Sequence, residues 1–127
     1  MAKKKILLVD DEIDFLQLLK ARLKANNYDV VTAMNGSEAL EKFKEDKPDA
    51  LILDVMMPEI NGLEVLREIR KSDRKIPIFI TTAFSNEERF KFANQFNASG
   101  FIIKTNDMQV EIDNITKVLE ITDKYKK

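Results

Sequence analysis

The sequence predicts an α/β fold: one parallel sheet of five strands, in the order 2-1-3-4-5, with five helices distributed over both faces. Three observations predict it. Five short apolar runs alternate strictly with longer amphipathic stretches, the signature of repeated strand–helix units. The runs are continuously apolar instead of alternating, as suits strands covered on both sides. Right-handed crossovers leave few topologies for such a chain, and this order places a switch point between strands 1 and 3.

The strands are read in turn as Ile6-Leu7-Leu8-Val9, Val30-Val31-Thr32-Ala33, Ala50-Leu51-Ile52-Leu53, Ile76-Pro77-Ile78-Phe79-Ile80 and Phe101-Ile102-Ile103. Pro77 stands near the front of its run, where a missing N–H is tolerated. The first helix carries Leu16, Leu19 and Leu23 at helical spacing, with Lys20, Arg22 and Lys24 opposite. The second opens near Ser37 with Ala39, Leu40 and Phe43 as its stripe. The third follows Gly62 with Leu63, Leu66 and Ile69. The fourth begins near Asn86 and shares Phe92, Ala93 and Phe96 on one face. The fifth begins near Asp107 and carries Met108, Ile112, Ile115 and Leu119. No linker, repeat or low-complexity stretch divides the chain, so residues 1–127 are expected to form one domain.

Composition narrows the chemistry. With 21 basic and 22 acidic residues, no basic excess suggests nucleic acid and no basic amphipathic stretch suggests a membrane surface. No apolar run approaches the roughly 20 residues of a membrane span, and the apolar run after the first lysines is too short for a secretory signal. A cytoplasmic location is the expectation. The chain has no cysteine and no histidine. Thiolate chemistry is excluded, and any metal site must use oxygen ligands, which favours a hard cation such as Mg²⁺. A phosphohistidine, if one is involved, must come from another molecule or another chain.

In open α/β sheets ligands bind beyond the carboxyl ends of the strands, at the switch point. Strand 1 ends in Asp10-Asp11, strand 3 in Asp54, strand 4 in Thr81-Thr82 and strand 5 in Lys104. Each alone has an ordinary explanation: a helix cap, a turn aspartate, a β-forming threonine, a solvated lysine. Together they describe a site. Three carboxylates in one place repel unless a cation neutralises them. A carboxylate beside a divalent cation can attack phosphorus and form an aspartyl phosphate. A lysine ammonium and a threonine hydroxyl suit the oxygens of the transferred group.

Four segments extend this reading: Ile6-Leu7-Leu8-Val9-Asp10-Asp11-Glu12, Leu53 through Gly62 (LDVMMPEING), Ile80-Thr81-Thr82-Ala83, and Ala98 through Lys104 (ASGFIIK). In this order and spacing the chain resembles the receiver domains of two-component response regulators along nearly its whole length, of the single-domain chemotaxis or phosphorelay type. The resemblance implies a flavodoxin-like (βα)5 fold and a set of roles. Asp54 is the phosphoacceptor. Mg²⁺ is held by Asp11, Asp54 and the backbone carbonyl of Met56, with Asp10 acting through water. Lys104 binds phosphate, Thr82 is the switch hydroxyl, and Phe101 is the switch aromatic. The implied donor is a sensor histidine kinase or a histidine phosphotransfer protein. The implied output is a downstream target protein contacted through the face made by the fourth helix, the fifth strand and the fifth helix. The protein is then not an enzyme in the ordinary sense but a phosphoacceptor that assists its own phosphorylation and dephosphorylation.

Some residues depart from the commonest pattern of that family. Thr105 follows Lys104 where proline is usual, so a trans bond is expected. Asn97 stands where many relatives have glycine at the end of the fourth helix, and asparagine tolerates the left-handed conformation needed there. Asn61 suits the turn before Gly62. Met56 and Phe84 are apolar at variable positions, which predicts slow loss of the phosphoryl group. Phe90, off the buried face of the fourth helix, is a candidate partner contact.

Other readings fit less well. A haloacid-dehalogenase-type phosphatase wants Asp-x-Asp after strand 1, but Glu12 stands two places after Asp10. A flavodoxin-like mononucleotide binder needs phosphate-binding amides, whereas Asp10-Asp11-Glu12 repels phosphate and no glycine-rich loop follows. A degenerate receiver acting only as a binding module is the alternative within the family, and the intact set Asp10, Asp11, Asp54, Thr82 and Lys104 argues against it.

Overall fold

The computed structural model describes residues 4–54, 62–82, 97–103 and 107–125. Strands β1 (Lys5–Val9), β2 (Asp29–Ala33), β3 (Ala50–Asp54), β4 (Ile78–Thr82) and β5 (Gly100–Ile103) form one sheet in the order β2-β1-β3-β4-β5. Every pairing is parallel. The described helices are α1 (Ile13–Ala25), α2 (Gly36–Asp46), α3 (Gly62–Ser72) and α4 (Met108–Tyr125). The last of these is the fifth predicted helix. The fourth, with Phe90, Phe92, Ala93 and Phe96, lies outside the described residues, as do Asn61 and Phe84.

Strand alternation sorts the core into two layers. Leu7, Val9, Leu51, Leu53, Ile78 and Ile80 face Ala39 of α2 and Val65, Leu66 and Ile69 of α3. Ile6, Leu8, Ala50, Ile52, Phe79 and Ile102 face Phe15, Leu16, Leu19 and Leu23 of α1 and Ile112, Ile115 and Leu119 of α4. Helices thus cover both sides, which is why the strands can be apolar throughout. Each fully buried leucine or isoleucine contributes about 1.5–3 kcal/mol of burial free energy, so this double layer fixes the register that positions the strand ends. An ion pair from Arg22 to Asp113 joins α1 to α4 across the surface.

Several boundaries shift by a residue or two from expectation, and at two of them the local reason is visible. Helix α2 starts at Gly36 because Asn35, with extended backbone, accepts the Glu38 N–H on its side chain (2.8 Å), a side-chain N-cap. Strand β4 starts at Ile78, two residues late, because the Asp73 carboxylate accepts the N–H groups of Lys75 (2.9 Å) and Ile76 (3.0 Å). That aspartate-centred turn holds the chain back, and Pro77 brings no N–H to a ladder.

The edge strand β2 is flanked by α2. Its Ala33 carbonyl accepts from Asp10 N–H on the β1 side (3.1 Å). The Thr32 carbonyl therefore points the other way, outward, and Lys42 Nζ donates to it at 2.6 Å while pairing with Glu38 at 3.2 Å.

Candidate phosphoacceptor site

Strand order decides what the carboxyl rim contains. β1 and β3 are neighbours at the centre of the sheet, with Val9 opposite Leu53. Asp10 leaves β1 and Asp54 ends β3 at adjacent points of the same edge. β4 lies on the other side of β3, with Thr81 opposite Asp54.

Asp10, Asp11 and Asp54 each bring a carboxylate oxygen within 4.8 Å of the others. Asp10 and Asp54 are 2% exposed, whereas Asp11 is open to solvent. Asp10 is held by its backbone and its side chain: its N–H bonds Ala33 and its Oδ1 accepts the Glu12 N–H at 2.9 Å. That second bond closes a tight turn leading directly into α1, where Leu16 N–H bonds the Glu12 carbonyl. The acids thus sit at the amino end of α1, whose dipole favours negative charge. At an effective dielectric near 20, two like charges about 4.8 Å apart still repel by about 3 kcal/mol.

The donor set fits a hard divalent cation. All three candidate ligands are carboxylate oxygens, and in an octahedral magnesium shell neighbouring oxygens lie about 3 Å apart and opposite ones about 4 Å, given its short bonds. A separation of up to 4.8 Å is compatible with two direct ligands and a third acting through water. One buried hydroxyl stands next to this cluster. Thr81, 1% exposed, has its Oγ1 at 3.4 Å from the Leu53 carbonyl, one residue before Asp54. The sequence named Thr81 only as part of a strand end, and a threonine in a β-run carries no signal that distinguishes such a contact.

The remaining expected residues stand differently. The backbone of Thr82 ends β4 and that of Phe101 is the second residue of β5, in register with Ile103 and Ile80 respectively. Their side chains, and the whole of Met56, Lys104 and Thr105, lie outside the described residues. Asn97 adopts φ 58°, the left-handed conformation expected of it.

A family model described as "Response regulator receiver domain" matches residues 6–118. The chain belongs to this family. The receiver domain is 45% identical over 84 residues to the alkaline phosphatase synthesis transcriptional regulatory protein PhoP of Bacillus subtilis, covering 66% of this chain and 35% of that protein. It is 36% identical over 124 residues to the probable transcriptional regulator ycf27 of Porphyridium aerugineum, covering 98% of this chain and 51% of that one. The chain thus spans between a third and about half of the length of these curated relatives. Among solved structures, it resembles chemotaxis protein CheY4 of Vibrio cholerae with a TM-score of 0.82 at 29% identity, covering 92% of this chain and 99% of that one. It also resembles response regulator TrrA of Thermotoga maritima in complex with Mg(2+)-BeF, with a TM-score of 0.76 at 38% identity, covering 90% and 97%. No described helix is long and apolar enough to cross a membrane.

Proposed function

We propose that this receiver domain is a phosphoacceptor of a two-component system, taking a phosphoryl group onto Asp54 from a phosphohistidine of a sensor histidine kinase or a histidine phosphotransfer protein. The observation that carries the reading is the convergence of Asp10, Asp11 and Asp54, two of them buried, at the switch point of the sheet. The Mg²⁺-bearing relative TrrA supports the choice of ion.

In this reading Asp11, Asp54 and the Met56 carbonyl would hold Mg²⁺ directly and Asp10 would hold it through water, and the bound ion would supply positive charge to offset that of the carboxylates and the phosphoryl oxygens. An Asp54 carboxylate oxygen attacks phosphorus. The P–O bond forms as the P–N bond to the donor imidazole breaks, and the electron pair returns to the imidazole nitrogen, which takes up a proton. Lys104 and the Thr82 hydroxyl bind phosphoryl oxygens. Thr82 then draws in Phe101, and the face made by the fourth predicted helix, β5 and α4 changes its contacts with a downstream protein. Near-balanced charge supports protein instead of nucleic acid as the direct partner of this chain, including where its longer relatives are named transcriptional regulators.

Incubation with Mg²⁺ and acetyl phosphate, read by intact mass, tests the proposal. Wild type gains one phosphoryl group, and Asp54→Ala gains none. Equal labelling of both proteins overturns it.

A further inference from the structure

The amino end of β5 is fastened from two directions. Arg70, near the end of α3, is only 7% exposed although it carries a guanidinium. Its Nη1 donates to the Asp73 carbonyl at 3.1 Å and its Nη2 to the Asn97 carbonyl at 2.8 Å. The first acceptor lies just past the end of its own helix. The second lies 27 residues on, in the turn that feeds β5. Burial lowers the Arg70 pKa from its ordinary value, and the nearby Asp73 charge opposes that shift. The group still remains protonated at any working pH.

The same turn is bonded to β4. Ser99 N–H donates to the Ile78 carbonyl at 2.7 Å, and Ser99 Oγ accepts the Ile78 N–H at 3.0 Å. Ala98 packs on the apolar layer that contains Ile69, Ile76 and Ile78. At Gly100 a Cβ would come to 3.3 Å from the Phe79 ring, so strand and ring are already in close contact. Asn97 itself is left-handed, a conformation that asparagine tolerates in a turn.

We propose that Arg70 is a positioning residue that locks the start of β5 to α3, so that binding at the phosphoacceptor site leaves residues 97–100 in place and alters only the carboxyl end of the strand. The arrangement makes mechanical sense of a buried charge. A planar fork reaching two carbonyls at fixed angles holds two elements together in a way one ammonium cannot. The switching half of this inference rests on the phosphoacceptor reading above, whereas the locking half does not.

Hydrogen exchange of the whole chain, with and without Mg²⁺ and beryllofluoride, tests both halves. In wild type the amides of Ser99 and Ile78, bonded to each other's residue across the turn, exchange slowly, and the additions leave their rates unchanged while amides near Asp54 and Ile103 slow. In Arg70→Met these two amides exchange at least tenfold faster before any addition. In Arg70→Lys, which keeps the charge and reaches one carbonyl, they fall between; this milder variant carries the test if Arg70→Met does not fold. Turn amides that exchange at the wild-type rate in both variants overturn the lock. Turn amides in wild type that respond to the additions as strongly as those near Asp54 overturn its fixed position during switching. If the additions alter exchange nowhere in wild type while Arg70→Met still loosens the turn, the phosphoacceptor reading and its switching half fall and the lock stands.

Discussion

At the amino end of the sheet, turn after turn is closed by hydrogen bonds onto a neighbour; at the carboxyl end, carboxylates are pressed together. Lys5 N–H bonds the Asp49 carboxylate and Asp49 N–H returns to the Lys5 carbonyl. Asp29 N–H bonds Lys4, and Leu51 N–H bonds Pro77. Ser99 and Arg70 complete the same end. The opposite rim gathers Asp10, Asp11 and Asp54, three like-charged groups that repel one another. The difference teaches that stability and chemistry are assigned to opposite ends of the same strands. The apolar layers between them supply the burial free energy that makes the acidic end tolerable.

The comparison can be broken most severely at the acidic end. Magnesium at a hundredfold excess over its dissociation constant is expected to stabilise the wild-type protein by about 2.7 kcal/mol, by mass action alone. Asp54→Asn and Asp10→Asn lose most of that gain, and without magnesium both match or exceed wild type because a like charge has been removed. Melting temperature with and without the ion checks this, and an undiminished magnesium shift in both variants would refute it.

A cut at the amino end behaves in the opposite manner. Ser99→Ala leaves the Ile78 N–H without its acceptor and is expected to cost about 1–3 kcal/mol. Denaturant unfolding measures the loss, and the magnesium shift stays at the wild-type size. Smaller again, Asn35→Ala removes the side-chain cap of α2 and costs about 1 kcal/mol, visible in the same unfolding curves.

How much of this was legible beforehand follows from the range of the interactions. The five apolar runs and the stripes of α1, α3 and α4 depend on local periodicity, so they could be read directly, and the strand order was the flavodoxin-like one among the few topologies that handedness leaves. Asp10, Asp11 and Asp54 were legible because strand ends at a switch point converge whatever the loops do. Asn97 was legible because its left-handed backbone is a local preference. Arg70 was not. On an amphipathic helix with Arg67 and Lys71 beside it, it reads as one more solvated base, and its burial depends on a carbonyl supplied by Asn97 from another part of the fold. Ser99 was hidden for the same reason, since its partner Ile78 is 21 residues away. The late start of β4 escaped because the Asp73 turn competes with a run whose apolar pattern continues through it.

The smallest expected effect lies away from both ends, on the surface of α3. The Lys71 hydrogen bond and charge hold Glu68 below the ordinary carboxylate value of 4.5. A carboxyl with a depressed folded pKa adds stability above its unfolded value and loses it as pH falls through the folded one. Glu68→Gln should therefore flatten the acid side of the stability profile slightly, with no change at neutral pH beyond the loss of an exposed pair. Unfolding measured from pH 3 to pH 7 on both proteins checks the sign.

The Lys42 ammonium on the outward carbonyl of β2 has one more consequence. A parallel sheet open at its flank is a template on which another copy could add its own strand, and repetition of that step builds fibres. Any incoming backbone would have to displace a charged group already bonded to Thr32 and leave it stranded in a dry seam. The sheet thus carries, along the flank made by β2, a charged stop against strand addition.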